Sequence, residues 1–434
     1  MDESAPTGDS AAVGVGDGDD PAEVESFLAR WTTFLLSMSA EGTLSIRHDI
    51  GQLAQRFGVR VEALILTDSA VLTLASSGRR ATTTIVSATP GASRLDLVSE
   101  EKTARIEIVE SDETVGDASR RLDALAASPA PYPWWLRLVG VVLFSVGFAP
   151  SVQATWREIG TTIVLGAVMG VLFVTFEGHR RGELVLPLVG PFVVTFIAFS
   201  VLGVSRAPGG PILAVIPALF VLIPGDFLAA AAEELASGQL SAGAIRLVQA
   251  GFVLVQLGVG VVLAAEVSRV GTSALFEADV NSALPAWLLV VAWLPFTLGL
   301  VLTFNARIGD LGWMMLLVYA AWLVQIGVVR LVGATSGTFV AATVLGLLAE
   351  WLSRSRERPP RLVLLIGGFF VLTVGSSGLR ALTTVVGGDA IDGFRDLTTM
   401  VTQTTALTMG LVAGGLLLSD RLRATTAAPD AAQV

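Results

Sequence analysis

The stretch LIPGDFLAAAAEEL, residues 222–235, ends a long apolar run by interrupting it. Pro224-Gly225 falls where a membrane-crossing helix would otherwise continue, Asp226 follows at once, and Glu233 and Glu234 come about two turns later. A proline inside a helix removes one backbone hydrogen bond and crowds the preceding turn. In lipid, the polar groups so freed must be satisfied by protein, water or ligand. The break therefore reads either as a place where backbone meets a polar ligand or, more plainly, as a kink that shapes packing.

The rest of the chain supplies the membrane. Of 434 residues, 53% are hydrophobic and only 15% charged, with a mean hydropathy of +0.70. That balance belongs to multi-spanning membrane proteins rather than soluble ones. Residues 1–130 carry 21 acids and 11 bases, whereas residues 131–434 carry 17 of each, so the net charge of −10 sits in the first part. An acidic first part argues against nucleic acid as a partner, because phosphate binding needs clustered cations. There is no cysteine, which excludes disulfides and thiolate chemistry. His48 and His179 are too few and too far apart for a metal site, and Lys102 is the only lysine. No metal and no cofactor are expected.

Residues 1–21 are acidic and rich in Gly, Ala and Ser, and read as a disordered tail. Residues 22–130 read as a small soluble α+β domain. EVESFLARWTTFLLSM and TLSIRHDIGQLAQRFGV show helical spacing, and VEALIL, AVLTLAS, TTTIVS and TARIEIV read as strands. TVGDASRRLDALAA returns to helix, with Thr114 and Asp117 as its capping pair. His48-Asp49 is the one pair there that hints at acid–base chemistry, but adjacent helical residues point different ways. SPAPYPWW, residues 128–135, ends the domain and places Trp134 and Trp135 at lipid headgroups.

Ten apolar segments follow: 135–151, 159–177, 186–204, 211–231, 247–265, 285–303, 311–329, 335–352, 361–378 and 397–419. Each is about long enough to cross a hydrocarbon core of roughly 30 Å. Placing both termini in the cytoplasm puts eleven arginines inside against six outside, with SRSRERPPR (353–361) the heaviest contribution. The remaining residues, 422–434, form a cytoplasmic tail.

The membrane half repeats. At an offset of 150, Gly225 falls on Gly375, Gly238 on Gly388, Gly243 on Gly393 and Gly260 on Gly410. Five spans per copy is an odd number, so the second copy must enter from the other side. The expected architecture is an α-helical polytopic membrane protein of 5+5 inverted repeats, residues 131–281 and 282–421. Interrupted helices at matching places in such repeats mark the substrate site. Here they are 222–226 and 372–378.

The order of these features carries a family resemblance. PALFVLIPGDFLAAAAEELASGQLSAGAIRL (217–247) and GTFVAATVLGLLAEWLSRSRERPPRLVLLIGGFFVLTVGSSGLRAL (337–382) resemble the two repeats of the threonine/serine exporter (ThrE-type) family. RFGVRVEALILTDSAVLTL (56–74) and SRRLDALAASPAPYP (119–133) resemble its cytoplasmic N-terminal domain. The second repeat departs from the family pattern, with Val374-Gly375 where a second Pro-Gly is usual. The resemblance implies ten spans and export of small amino acids from bacteria across the plasma membrane, driven by the proton-motive force.

The candidate substrate-binding residues are Pro224, Gly225, Asp226, Gly375, Ser376, Ser377, Arg380, Thr399 and Gln403. A helix N-terminus after a break offers N–H groups to a carboxylate, and carbonyls or an acid accept from an ammonium. Asp226 is either a proton carrier or a helix N-cap. Ser376 and Ser377 either bind substrate or pair with freed carbonyls. Thr402 and Thr405, on the same helix after the second break as Thr399 and Gln403, are further candidates, whereas Gln249, Gln256, Gln325 and Thr404 are expected to make interhelix hydrogen bonds. Glu233 and Glu234 are expected on a solvated face. Arg307 and Asp310, three apart, are expected in a cytoplasmic turn.

The partners expected are a small amino acid, protons and the bilayer, with a homo-oligomer left open. A dicarboxylate such as succinate is the alternative cargo, with Arg380 and Arg395 outside and Arg246 inside as its cations. A sensor or hydrolase using residues 22–130 is the alternative class. The chain contains no G-x-S-x-G, H-E-x-x-H, Walker or Rossmann pattern, so no enzyme is expected.

Overall fold

A computed structural model describes residues 20–38, 42–76, 80–88, 94–153, 155–204, 211–271, 284–372 and 390–426. The chain divides into two compact units: Met1–Pro90 with Glu101–Ser128, and Gly91–Glu100 with Pro129–Val434.

In the first unit, α1 (Pro21–Ser37) starts at Asp20, whose carboxylate accepts from the Ala22 N–H, and α2 is Thr43–Arg56. β1 (Arg60–Ile65), β2 (Ser69–Ala75) and β3 (Thr82–Ser87) form an antiparallel sheet in the order β1-β2-β3. Alternation along β2 buries Ala70, Leu72 and Leu74. Phe27, Leu28, Trp31 and Leu35 of α1 are buried with Ile50 and Leu53 of α2 in this unit's core. Helix α4 (Val115–Ala126) begins as expected, with the Asp117 N–H donating to Thr114 Oγ1 at 3.2 Å.

One expected strand is a helix. TARIEIV lies inside α3 (Leu95–Glu110). The alternating Ile106 and Ile108 suggested a strand. However, the buried positions of this helix, Leu95, Asp96, Val98, Ser99, Glu101, Lys102, Ala104 and Ile108, recur at helical intervals.

The second unit holds the apolar helices. These are α5 (Trp134–Phe148), α6 (Trp156–Phe176), α7 (Arg180–Ser200), α8 (Pro211–Leu219), α9 (Gly225–Ala236) and α10 (Leu240–Val267). They continue with α11 (Trp287–Thr303), α12 (Leu311–Val332), α13 (Ala334–Ser353), α14 (Arg361–Val371) and α15 (Ala390–Thr426). Among the described residues, seven helices are long and apolar enough to cross a membrane. Three shorter apolar ones are Pro211–Leu222, Trp287–Thr303 and Arg361–Val371. Two of these three stop where the sequence breaks. Described helices overlap each of the ten expected segments, the fourth of which is divided between α8 and α9.

Glycine decides how they pack. A Cβ on Gly147 would strike the backbone of Phe296, one on Gly299 the backbone of Phe144, and one on Gly140 would lie 2.8 Å from the Thr303 nitrogen. As numbers rise along α5 they fall along α11, so these two helices run antiparallel in close contact. Two other pairs run parallel. Ser200 and Ser268 share a hydrogen bond of 2.9 Å, and a Cβ on Gly260 would lie 2.5 Å from the Leu188 carbonyl, which joins α7 to α10. Gly410 and Gly414 pack in the same way on Phe339 and Thr343, which joins α15 to α13.

The segment after α11 is also tied down within this unit. The Leu95 and Asp96 N–H groups donate to the Phe304 and Asn305 carbonyls at 3.1 and 3.0 Å. The free amides of the first turn of α3 thus meet the free carbonyls at the end of α11. Ser99 donates to Asp310 at 2.9 Å, and Tyr132 to the Ala306 carbonyl at 2.9 Å.

Candidate site at the broken helices

The first break is built stepwise. Helix α8 contains Pro217, passes into a 3-10 turn at Phe220–Leu222, and ends in extended backbone at Ile223 (φ −68, ψ 122). Helix α9 starts afresh at Gly225, with the Leu228 N–H donating to the Pro224 carbonyl at 3.0 Å. Both Pro224 and Gly225 are buried. Gly225 allows a close approach: a Cβ there would lie 3.0 Å from Phe369 and 3.1 Å from Phe370 of α14. Those two rings stand just before the second break, so the first break packs against the helix that leads into the second.

The glycines after the break have distinct roles. Gly238 takes φ +83 and ends α9, letting the Gln239 N–H reach the Glu234 carbonyl at 2.8 Å. A Cβ on Gly243 would lie 2.7 Å from Leu235 Cγ and 2.9 Å from the Ala231 carbonyl, so that glycine holds α10 against α9.

An aromatic cluster surrounds the break. Phe220 stacks on Phe148 with centroids 3.7 Å apart and meets Phe144 at 5.5 Å and Phe370 at 5.3 Å. Phe144 stacks on Phe296 at 4.8 Å. Aromatic pairs of this kind add packing energy beyond the area they bury.

Several sequence-derived candidates lie outside the described residues: Gly375, Ser376, Ser377 and Arg380, together with the side chains of Asp226 and Glu233. Thr399 is exposed, and its hydroxyl donates to the Arg395 carbonyl of its own helix at 2.9 Å. Gln403 is half-buried. Thr404, expected to bond between helices, and the candidate pair Thr402 and Thr405 each donate to the carbonyl four residues earlier at 2.8 Å. That partner is always within reach of a helical threonine.

Glu234 corrects another expectation. It is 2% exposed rather than solvated, and pairs with the equally buried Arg246 of α10 at 3.2 Å. The turn at Gly238 folds α10 back beside α9 and brings the two charges together. Arg246 is therefore neutralised within the protein, which removes one of the cations that favoured a dicarboxylate.

Gln153 escaped the sequence reading. It is 3% exposed, between α5 and α6. Its amide nitrogen donates to Thr162 Oγ1 at 2.8 Å and to the Ala214 and Leu213 carbonyls at 3.2 and 3.4 Å. Pro217 has no N–H to bond Leu213 four residues back, so Gln153 supplies the donor that the proline removed.

The His48-Asp49 pair resolves differently from an acid–base dyad. Asp49 turns inward to Arg105 at 3.2 Å, and Arg105 also binds Glu101 at 3.2 Å. The Trp31 indole donates to Glu101 at 3.3 Å. Burial pushes the Glu101 carboxyl up to about 7, aided by the charge on Asp49 and opposed by Arg105. Burial also raises Asp49 against the pull of Arg105 and His48. Among the described residues no group of acids and histidines could hold a metal ion.

Many apolar helices, broken and glycine-packed around a buried break, define a polytopic membrane protein. The family model described as "Putative threonine/serine exporter" (ThrE) matches residues 27–268, and the chain belongs to that family. It is 26% identical over 321 residues to the "Probable threonine/serine exporter" of Mycobacterium tuberculosis, covering 70% of this chain and 59% of that protein. It is 29% identical over 157 residues to "Pheromone-regulated membrane protein 10" of Candida albicans, covering 35% of this chain and 14% of that one. The Yarrowia lipolytica protein of the same name matches at 29% over 171 residues, 37% of this chain and 14% of its own. The chain thus spans 59% of the bacterial relative and 14% of the fungal ones. No solved structure matches it.

Proposed function

We propose that this protein is a secondary exporter of small amino acids of the threonine/serine kind, built as two inverted five-span repeats. The observation that carries the reading is the seating of the Gly225 break on Phe369 and Phe370, at the threshold of the second break. The repeat is supported by matching close approaches near the 150 offset: a Cβ on Gly260 would lie 2.5 Å from the Leu188 carbonyl, and one on Gly410 2.4 Å from the Phe339 carbonyl. The antiparallel contact of α5 with α11, and the parallel packing of third on fifth helix in both halves, are what inversion of such a repeat requires. The three short apolar helices then complete ten crossings.

In this reading a zwitterion binds where α9 and its counterpart restart. Amides at the helix start take the carboxylate and carbonyls take the ammonium. Gly225, Asp226, Ser376, Ser377, Arg380, Thr399 and Gln403 line that space, Asp226 carries the coupled proton, and the halves rock about it. Both termini and residues 22–130 lie on the cytoplasmic side of a bacterial plasma membrane.

The test is counterflow of labelled threonine in proteoliposomes with and without a pH gradient. Transport of threonine or serine, stimulated by the gradient, is the expected result. Loss of counterflow in Gly225→Leu and Asp226→Asn at unchanged membrane content would tie it to the break. Failure to move any small amino acid would sink the reading.

A further inference from the structure

We propose that Gln153 and Asn305 are a matched pair of substrate stations, whose carboxamide oxygens accept a hydrogen bond from the ammonium group of the transported amino acid. This rests on the exporter reading and narrows its substrate class. The two residues stand 152 positions apart, the same offset that relates Gly147 to Gly299 and Phe144 to Phe296. Those four residues make reciprocal contacts: Gly147 packs on Phe296, and Gly299 on Phe144. Gln153 and Asn305 are thus equivalents in the two halves, each a few residues past the end of the first helix of its repeat. Because α5 and α11 run antiparallel, those ends lie at opposite ends of the helix pair.

Both side chains are withdrawn from solvent, at 3% and 1% exposed. Gln153 is oriented unambiguously. The Leu213 and Ala214 carbonyls can only accept, so the amide nitrogen must face them and the oxygen points away. That Oε1 is buried and has no hydrogen-bond partner among the described residues, and neither has Asn305 Oδ1. A buried acceptor without a donor is costly, and its retention at both equivalent places is accounted for if a donor arrives during the transport cycle. An ammonium group supplies such a donor, and a dicarboxylate supplies none. The paired stations therefore favour amino acids over dicarboxylates, at whichever face each carrier conformation opens.

Asn305 has a second reason to be asparagine, since its φ of +54 lies in the left-handed region that asparagine tolerates. Asn305→Gly keeps that backbone and removes only the carboxamide.

The experiment measures half-saturation for labelled threonine at each face, in right-side-out and in inverted membrane vesicles. Gln153→Met should raise it about tenfold or more at one face, and Asn305→Gly at the opposite face, as expected for a lost hydrogen bond to a charged group. Where Gln153→Met does not reach the membrane, Gln153→Asn, which draws the carboxamide back by one methylene, should show the same one-sided loss. Wild-type half-saturation at both faces in Asn305→Gly and in a folded Gln153 variant would overturn the proposal, leaving resident water or packing as the role of these oxygens. A wild-type protein that moves no small amino acid would instead overturn the exporter reading on which the pairing rests.

Discussion

Phe220 and Phe370 stand 150 positions apart and meet ring to ring, with centroids 5.3 Å apart. Phe144 and Phe296, 152 apart, do the same at 4.8 Å. In a two-fold arrangement, equivalent residues can meet each other only at the axis. Under the proposed inverted repeat, two such pairings in one cluster put that axis beside the Pro224-Gly225 break.

Removing a ring from this cluster should be expensive. Phe370→Ala takes out a side chain that is 4% exposed and touches Phe144, Phe220, Phe304 and Phe369. The cost expected is about 3–5 kcal/mol, read as a lowered thermal midpoint of the detergent-purified protein. Phe370→Leu, which fills part of the space, should lose less.

The glycine seam makes a sharper prediction. Gly147→Ala and Gly299→Ala each place a methyl group against partner backbone, which cannot rotate away as a side chain can. Each should destabilise by about 1–3 kcal/mol. Gly251→Ala, in α10 with nothing near its Cβ position, should be neutral or gain up to about 1 kcal/mol from helix propensity. Equal behaviour of all three in the same melting assay would contradict the packing described for α5 and α11.

The buried pair Glu234–Arg246 should be asymmetric to mutation. Glu234→Leu leaves a guanidinium that cannot shed its proton in the interior, at a cost of about 3–5 kcal/mol. Glu234→Leu with Arg246→Met removes both charges and should recover most of that loss. A double variant as unstable as the single one would show that the charges are not coupled.

The first unit should respond to pH through Glu101. Its folded carboxyl is raised to about 7 from an ordinary 4.5. Between those values the folded protein holds a proton that the unfolded chain has released, so stability falls as pH rises through that window. Glu101→Gln keeps an acceptor for Trp31 and removes the titration. Hydrogen exchange of α1 and the later turns of α3 in the full chain should quicken from pH 5 to pH 8 in the wild type, beyond the intrinsic pH effect, and not in Glu101→Gln.

Much of the architecture was legible because membranes impose strict rules on sequence. Runs of apolar residues, breaks at Pro224-Gly225 and near Gly375, and glycines recurring at 150 are local features, and the helices begin and end close to where those features place them. Gly238 and Gly243 were visible as a motif, and the structure assigns one to a left-handed turn and the other to a close approach. TARIEIV was misread because seven residues can satisfy a strand pattern while belonging to a sixteen-residue helix. Thr404 of α15 was misassigned because sequence cannot tell a neighbouring helix from the carbonyl four residues back.

What sequence alone determined is the set of elements: an acidic first part, apolar helices, their interruptions and their repetition, each written in hydropathy, proline and glycine. Tertiary structure decided which of those elements touch. Glu234 finds Arg246 only after the chain turns at Gly238, and Gln153 finds the carbonyl freed by Pro217 from sixty residues away in the chain. Phe220 meets Phe370 only after segments 150 positions apart have packed together. Hydropathy is a property of a segment, whereas the partner of a buried charge or amide depends on how distant segments pack, and no short window of sequence contains both.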